Sequence, residues 1–234
     1  ELWTVSKRAS NPYQITEKEV EALNYEIFPH WINHNIMELA RKRCFHGEMK
    51  LHERIVFFLA SKVECISHTI PDFSQAIEKG LRSIIIEAKK KGKVTADKSK
   101  KEFYEAISEV LEGVITYSNN LAKKAEKLAA AETDEQAKRE LLEIAGIHRR
   151  VPEGPAQTFR DALTTIWICW TAIHLENPNI GLSLGRLDQV LYPLYQKEIE
   201  RKSLTIESAL ELLCCFWLKI GDHVPMVPQA AEQL

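Results

Sequence analysis

Several features that would place a chain at once are missing here. There is no excess of one charge: 31 lysines and arginines stand against 33 aspartates and glutamates, a formal charge of −2 over 234 residues. That balance argues against a nucleic-acid surface built on net charge. Cysteine is sparse and unpaired in pattern. Cys44, Cys65, Cys169, Cys214 and Cys215 form no spaced framework, and three of the five lie in strongly apolar runs, where a thiol packs as a small hydrophobe. Such usage fits a reducing cytoplasm. The longest apolar run, 162–173, is broken by threonines and falls short of the roughly 20 residues a membrane span needs. No secretory leader, internal repeat, low-complexity tract, Gly-rich phosphate loop or nucleophile elbow is visible.

What is present is helical spacing, and it predicts a mainly α chain. Thr16 with Glu19, Ser99 with Glu102 and Thr133 with Gln136 each fit a capping box, in which a hydroxyl accepts from an orphan amide and the acid or amide three residues on reaches back. Over 103–128 the positions Ile107, Val110, Leu111, Val114, Ile115, Leu121 and Leu128 recur at steps compatible with one long amphipathic helix. A second helix is expected over 134–147. Pro152 and Pro155 then break the chain, and a third helix is expected over 158–174. That helix is apolar on nearly every side, through Ile166, Trp167, Ile168, Cys169, Trp170 and Ile173, so it belongs inside something larger. The same holds for 210–220.

The irregular segments are few. Lys89, Lys90, Lys91, Lys93, Lys98, Lys100 and Lys101 form the one dense basic cluster, read as a solvated loop. Pro178, Gly181 and Gly185 punctuate the stretch 177–185, after which Asp188 suits the first turn of a helix. His30 and His34 stand four apart, as two imidazoles on one helix face would. No carboxylate or cysteine completes a metal set, and no metal is expected.

Two motifs stand in order within 149–193: RRVPEGPAQTFRDAL, and later LSLGRLDQVLYP. They resemble a segment of the glycyl radical enzymes, the pyruvate formate-lyase-like family, whose VP-x-x-PA-x-TF-x-[ED]-AL run is followed by S-x-GR-x-DQ-x-x-YP. Upstream, SHTIPDF at 67–73 followed by Ala76, Ile77, Gly80 and Leu81 is similar to the family's GH-x-xP-D/G-[YF] segment and its V/I-L-x-x-G-[LF] run. Asn11, Pro12, Tyr13 and the later His30 and Trp31 resemble the start of the family's domain. The resemblance runs from about residue 10 to about residue 225 and implies the N-terminal helical part of a larger ten-stranded α/β barrel. The family's radical chemistry uses a mid-chain cysteine and a C-terminal glycine, and neither has a counterpart among these residues. The chain is therefore expected to be the N-terminal portion of such a domain over 1–234, inactive alone and binding no cofactor directly, with the glycyl radical in the C-terminal part.

The resemblance also implies site residues. His68 matches the histidine that contacts substrate hydroxyls in the diol dehydratases; the residues alone allow it equally to be a neighbour of a helix cap at Asp72 or Thr69. Asn179, Ile180, Gly181 and Ser183 fall at the second contact segment. There the dehydratases carry a His-Ser pair where this chain has Ile180 and Gly181, which cannot bind a polyol through their side chains. That points to a bulkier or more apolar substrate, such as an arylacetate or a hydrocarbon-derived acid. Arg186 and Asp188 read as anchors of a turn, with the guanidinium on nearby carbonyls. Expected partners are a small-molecule substrate and an activating iron–sulfur S-adenosylmethionine enzyme; a homo-oligomer is compatible, and neither nucleic acid nor membrane is expected. The competing reading is a stand-alone helical interaction protein derived from the family, binding another subunit through its Trp-rich helix.

Overall fold

In a computed structural model of the chain, the structure describes residues 14–35, 38–39, 42–43, 69–176 and 182–222. They divide into two units: 14–35, 38–39, 42–43 and 221–222 belong to one, and 69–176 with 182–220 to the other. The described residues contain helices and no strand.

In the first unit, α1 (Glu17–Ala22) runs through a π-helical turn at Leu23–Ile27 into α2 (Phe28–Trp31). The capping box expected at its start is present. The Thr16 amide donates to the Glu19 carboxylate at 2.7 Å, and the Glu19 amide donates to the Thr16 hydroxyl at 3.3 Å.

In the second unit, α3 (Phe73–Val94), α4 (Lys98–Ala131), α5 (Glu135–Arg150), α6 (Phe159–Glu176), α7 (Leu187–Glu200) and α8 (Ile206–Gly221, all but its last residue) follow in order. Two caps differ from expectation. Asp97, not Ser99, starts α4, taking the amides of Ser99 and Lys100 at 2.9 and 3.2 Å. Asp134, not Thr133, starts α5 through the Ala137 amide at 2.7 Å. A carboxylate is the better acceptor at the positive end of a helix, and an aspartate near the threonine or serine displaces it. The basic cluster is likewise helical rather than a loop, forming the last turns of α3 and the first of α4. Its lysines are solvated as expected.

The apolar third helix takes the central place its composition demands. Ala162 and Ile166 of α6 are wholly buried, and Phe159, Leu163 and Trp170 nearly so, in a core with Phe73, Ile77, Leu191, Ala209 and Phe216; Ile168 is wholly buried as well. A second cluster joins α3 and α4 through Ala76, Leu81, Ile85 and Ile115. Cys169 touches both, and burial pushes its thiol up to about 12. The other apolar helix, α8, departs from the expectation of full burial. Ala209 and Phe216 are buried, but Leu210, Trp217 and Leu218 are 60%, 54% and 72% exposed. Cys214 and Cys215 are exposed rather than packed, because they lie on the turn of α8 away from Ala209 and Phe216. No described helix is long and apolar enough to cross a membrane.

Candidate functional site

The site is built on a break in α3. Gly80 has φ +72, outside the helical range, so the ladder of α3 stops and restarts around it. The backbone groups released there must find partners. They find them in the loop between α5 and α6: Leu81 and Arg82 amides donate to the Pro152 and Glu153 carbonyls at 2.8 and 3.0 Å, and the Ala156 amide donates to the Ile77 carbonyl at 2.8 Å. The VP-x-x-PA motif and the glycine motif some 70 residues earlier are thus one structure. The Arg82 guanidinium closes it, reaching Glu153 at 2.9 Å and Glu112 of α4 at 2.5 Å.

Two buried polar contacts hold the loop from the other side. The wholly buried Asp161 carboxylate accepts from Arg150 Nη2 at 2.8 Å and from the Gln157 amide at 3.1 Å. The Ser118 hydroxyl of α4 donates to the Val151 carbonyl at 2.8 Å and stands 3.0 Å from His148 Nδ1. Burial holds the His148 imidazolium below its ordinary 6.5. Neither contact was anticipated from sequence; the only signal was an aspartate three residues after Thr158, whose hydroxyl caps α6 by accepting from the Asp161 amide at 3.0 Å.

The first half of α3 is aimed by this crossing and begins at Asp72, whose carboxylate accepts from the Ser74 amide at 3.1 Å. Of the two caps open in sequence, Asp72 is the one used. The residues just before it meet the segment that leads into α7. The Ser183 amide donates to the Thr69 carbonyl at 3.1 Å. Gly185, with φ +70, lies so close to Ile70 that an added Cβ would stand 2.8 Å from Ile70 Cγ2. Ser183 is exposed, and its hydroxyl accepts from the Gly185 amide at 3.2 Å. His68, Asn179, Ile180 and Gly181 lie outside the described residues. Thr69 directly follows His68 in the chain, and Ser183 is two residues beyond Gly181. The two stretches singled out in sequence are therefore brought side by side at their described ends.

Beside this junction is a cleft of about 510 Å³, walled by Trp170, Leu182, Leu184, Leu187, Trp217 and Ile220, with Ser183 and Asp188 as its polar members. Arg186 and Asp188 do anchor the turn, but the guanidinium binds the Asp188 carboxylate at 2.8 and 2.6 Å rather than nearby carbonyls, and both side chains are exposed. That pairing holds the Asp188 carboxyl below the usual carboxylate range. In the first unit, α2 ends at Trp31, so His30 and His34 do not share a helix. His34 Nδ1 donates to the His30 carbonyl at 2.5 Å, and the described residues contain no cluster of three metal-ligating side chains.

A family model described as Pyruvate formate lyase-like matches residues 1–234. The isethionate sulfite-lyase of Nitratidesulfovibrio vulgaris is 32% identical over 234 residues, covering 94% of this chain and 28% of that protein. The 4-hydroxyphenylacetate decarboxylase glycyl radical subunit of Clostridioides difficile is 38% identical over 118 residues, 50% of this chain and 13% of that one. Among solved structures, a glycyl radical enzyme from Archaeoglobus fulgidus superposes with a TM-score of 0.80 at 30% identity, covering 100% of this chain and 30% of its own. A structure concerned with 1,2-propanediol dehydration in Roseburia inulinivorans gives 0.77 at 30% identity, over 97% and 28%. The chain spans less than a third of the length of these relatives.

Proposed function

Since the chain belongs to the pyruvate formate lyase-like family along its whole length, we propose that it is the N-terminal helical part of a glycyl radical enzyme. That enzyme cleaves a C–C or C–X bond of a small organic substrate as a lyase, dehydratase or decarboxylase. In this reading the helices of the second unit form part of a barrel wall, and the junction of 69–72 with 182–186 forms one side of the substrate pocket. The observation that carries it is the Ser183 to Thr69 hydrogen bond, which joins the segment after His68 to the segment after Gly181. The glycyl radical and its cysteine, supplied by further polypeptide after activation by an iron–sulfur S-adenosylmethionine enzyme, provide hydrogen-atom abstraction. The residues of this chain bind and orient. His68 offers a ring nitrogen as donor or acceptor at the substrate, with Asn179 and Ser183 as further polar contacts, while Ile180 and Gly181 bring no polar side chain to this wall.

The substrate that fits such a wall is an organic acid with an apolar body, an arylacetate before a diol. The test uses the natural polypeptide, activated anaerobically in cytoplasmic extract and assayed with 4-hydroxyphenylacetate, isethionate, 1,2-propanediol and glycerol. Turnover of the arylacetate, lost by about 10²-fold or more in His68→Ala, is expected. Turnover of the diols alone would overturn the substrate class. A second reading, a helical interaction protein that binds another subunit, draws on exposed Leu210, Trp217 and Leu218 along α8; a soluble natural polypeptide without any radical signal would favour it.

A further inference from the structure

The 182–186 segment passes Ile70 at a glycine, and the glycine is needed twice over: its φ is +70, and a Cβ there would stand 2.8 Å from Ile70 Cγ2, well inside the contact distance of about 3.5–4.0 Å between carbons. Ile70 is 68% exposed, but Cγ2 is attached at the branch of a β-branched side chain, whose restricted χ1 makes moving it aside costlier than moving the tip of a longer chain. The Ser183 to Thr69 hydrogen bond lies two residues from Gly185 on one strand of chain and one residue from Ile70 on the other. Any widening at Ile70 and Gly185 therefore loads that bond first. Behind the junction both chains are fixed. Ile70 leads into α3, whose start is capped by Asp72 and whose course is set by the Gly80 crossing. Gly185 leads into α7, which Leu191 anchors in the core.

We propose that Ile70 and Gly185 are positioning residues, whose contact sets the separation between the segments 69–72 and 182–186, and so sets the fit of the substrate at that side of the pocket. This rests on the radical-enzyme reading. Neither residue need touch the substrate. A change of about 1 Å in the spacing of groups that hold a substrate costs about 10²-fold in rate, so the effect is large for a small displacement.

The experiment is a double-variant cycle in the natural, full-length polypeptide: Gly185→Ala, Ile70→Ala and both together. Hydrogen exchange of peptides covering 182–186 reports the Ser183 to Thr69 bond without any need for catalysis. The glycine-radical signal reports activation, and kcat and KM are measured on whichever of the four organic compounds above turns over. Gly185→Ala is expected to speed exchange at 182–186 and raise KM about tenfold or more, with the radical yield unchanged. Adding Ile70→Ala removes the methyl that the new Cβ meets, while leaving the φ +70 backbone burden in place. Partial recovery of both protection and KM in the double variant is therefore the signature of the contact itself. Exchange that does not respond to Gly185→Ala overturns the proposal, as does exchange that responds while KM and kcat stay at wild-type values. Absence of a radical in the wild-type polypeptide is a different result: it overturns the enzyme reading, and the positioning role with it.

Discussion

A side-chain carbon on Gly80 would stand 2.4 Å from the carbonyl carbon of Gly154, so the backbone of α3 and that of the 151–156 loop cross at a point where only glycine fits position 80. With φ at +72, the crossing and the break in α3 are the same event.

Replacing Gly80 with alanine should therefore be costly, about 3 kcal/mol or more, since a left-handed backbone and a backbone clash act together. Gly113 provides the opposite case. It sits exposed within α4 with no atom near its added Cβ, and Gly113→Ala should stabilise by about 0.5–1 kcal/mol. Urea unfolding of both variants checks the pair; equal effects would contradict the crossing.

The Arg150 and Asp161 pair should respond unequally to removal of its two members. Asp161 is wholly buried, whereas the Arg150 side chain is 42% exposed. Arg150→Ala strands a buried carboxylate with one amide for company, at about 3–5 kcal/mol. Asp161→Asn leaves an arginine that water can reach, and keeps an acceptor for the Gln157 amide, at about 1–2 kcal/mol. Equilibrium unfolding in urea measures the order, and the reverse order would show that the loop is held elsewhere.

Much of this was legible in sequence, and what was not has a physical reason. The helices expected over 103–128, 134–147 and 158–174 follow from local periodicity and from prolines at 152 and 155, and they form over 98–131, 135–150 and 159–176. The caps at Asp97 and Asp134 were within two residues of the expected ones, because aspartate, serine and threonine compete for the same orphan amides. The break at Gly80 was hidden: a glycine in a helical run is tolerated as often as it signals a kink, and the hydrogen bonds that decide it come from residues 152–156. The site was half visible. Resemblance pointed to His68 and 179–183, of which 182–183 lie among the described residues, and the backbone bond between Thr69 and Ser183 is one that no local spacing encodes.

His148 makes stability depend on pH in a predictable sense. Burial holds its folded value below the ordinary 6.5, so as pH falls below about 6.5 the unfolded chain takes up the proton first. The stability is fully present above that pH and is lost as pH falls through the folded value. Unfolding free energies of the wild type and His148→Gln between about pH 7.5 and 5 should diverge in slope, with the variant flatter. Parallel curves would remove His148 from the account.

Thiol reactivity should separate α6 from α8. At about pH 8, iodoacetamide should label Cys214 and Cys215 of the folded 234-residue polypeptide and spare Cys169, whose thiol is pushed up to about 12 by burial. Peptide mass mapping reads the result, and Cys169 labelled as fast as Cys214 would contradict the packing between the two core clusters.

The most direct test of the radical-enzyme account is the electron paramagnetic resonance spectrum of the natural polypeptide after anaerobic activation, taken with its intact mass. The account predicts a glycine-centred radical on a polypeptide longer than these 234 residues. A natural polypeptide that ends at Leu234, or a longer one that is activated under the same conditions and carries no glycine radical, would contradict it.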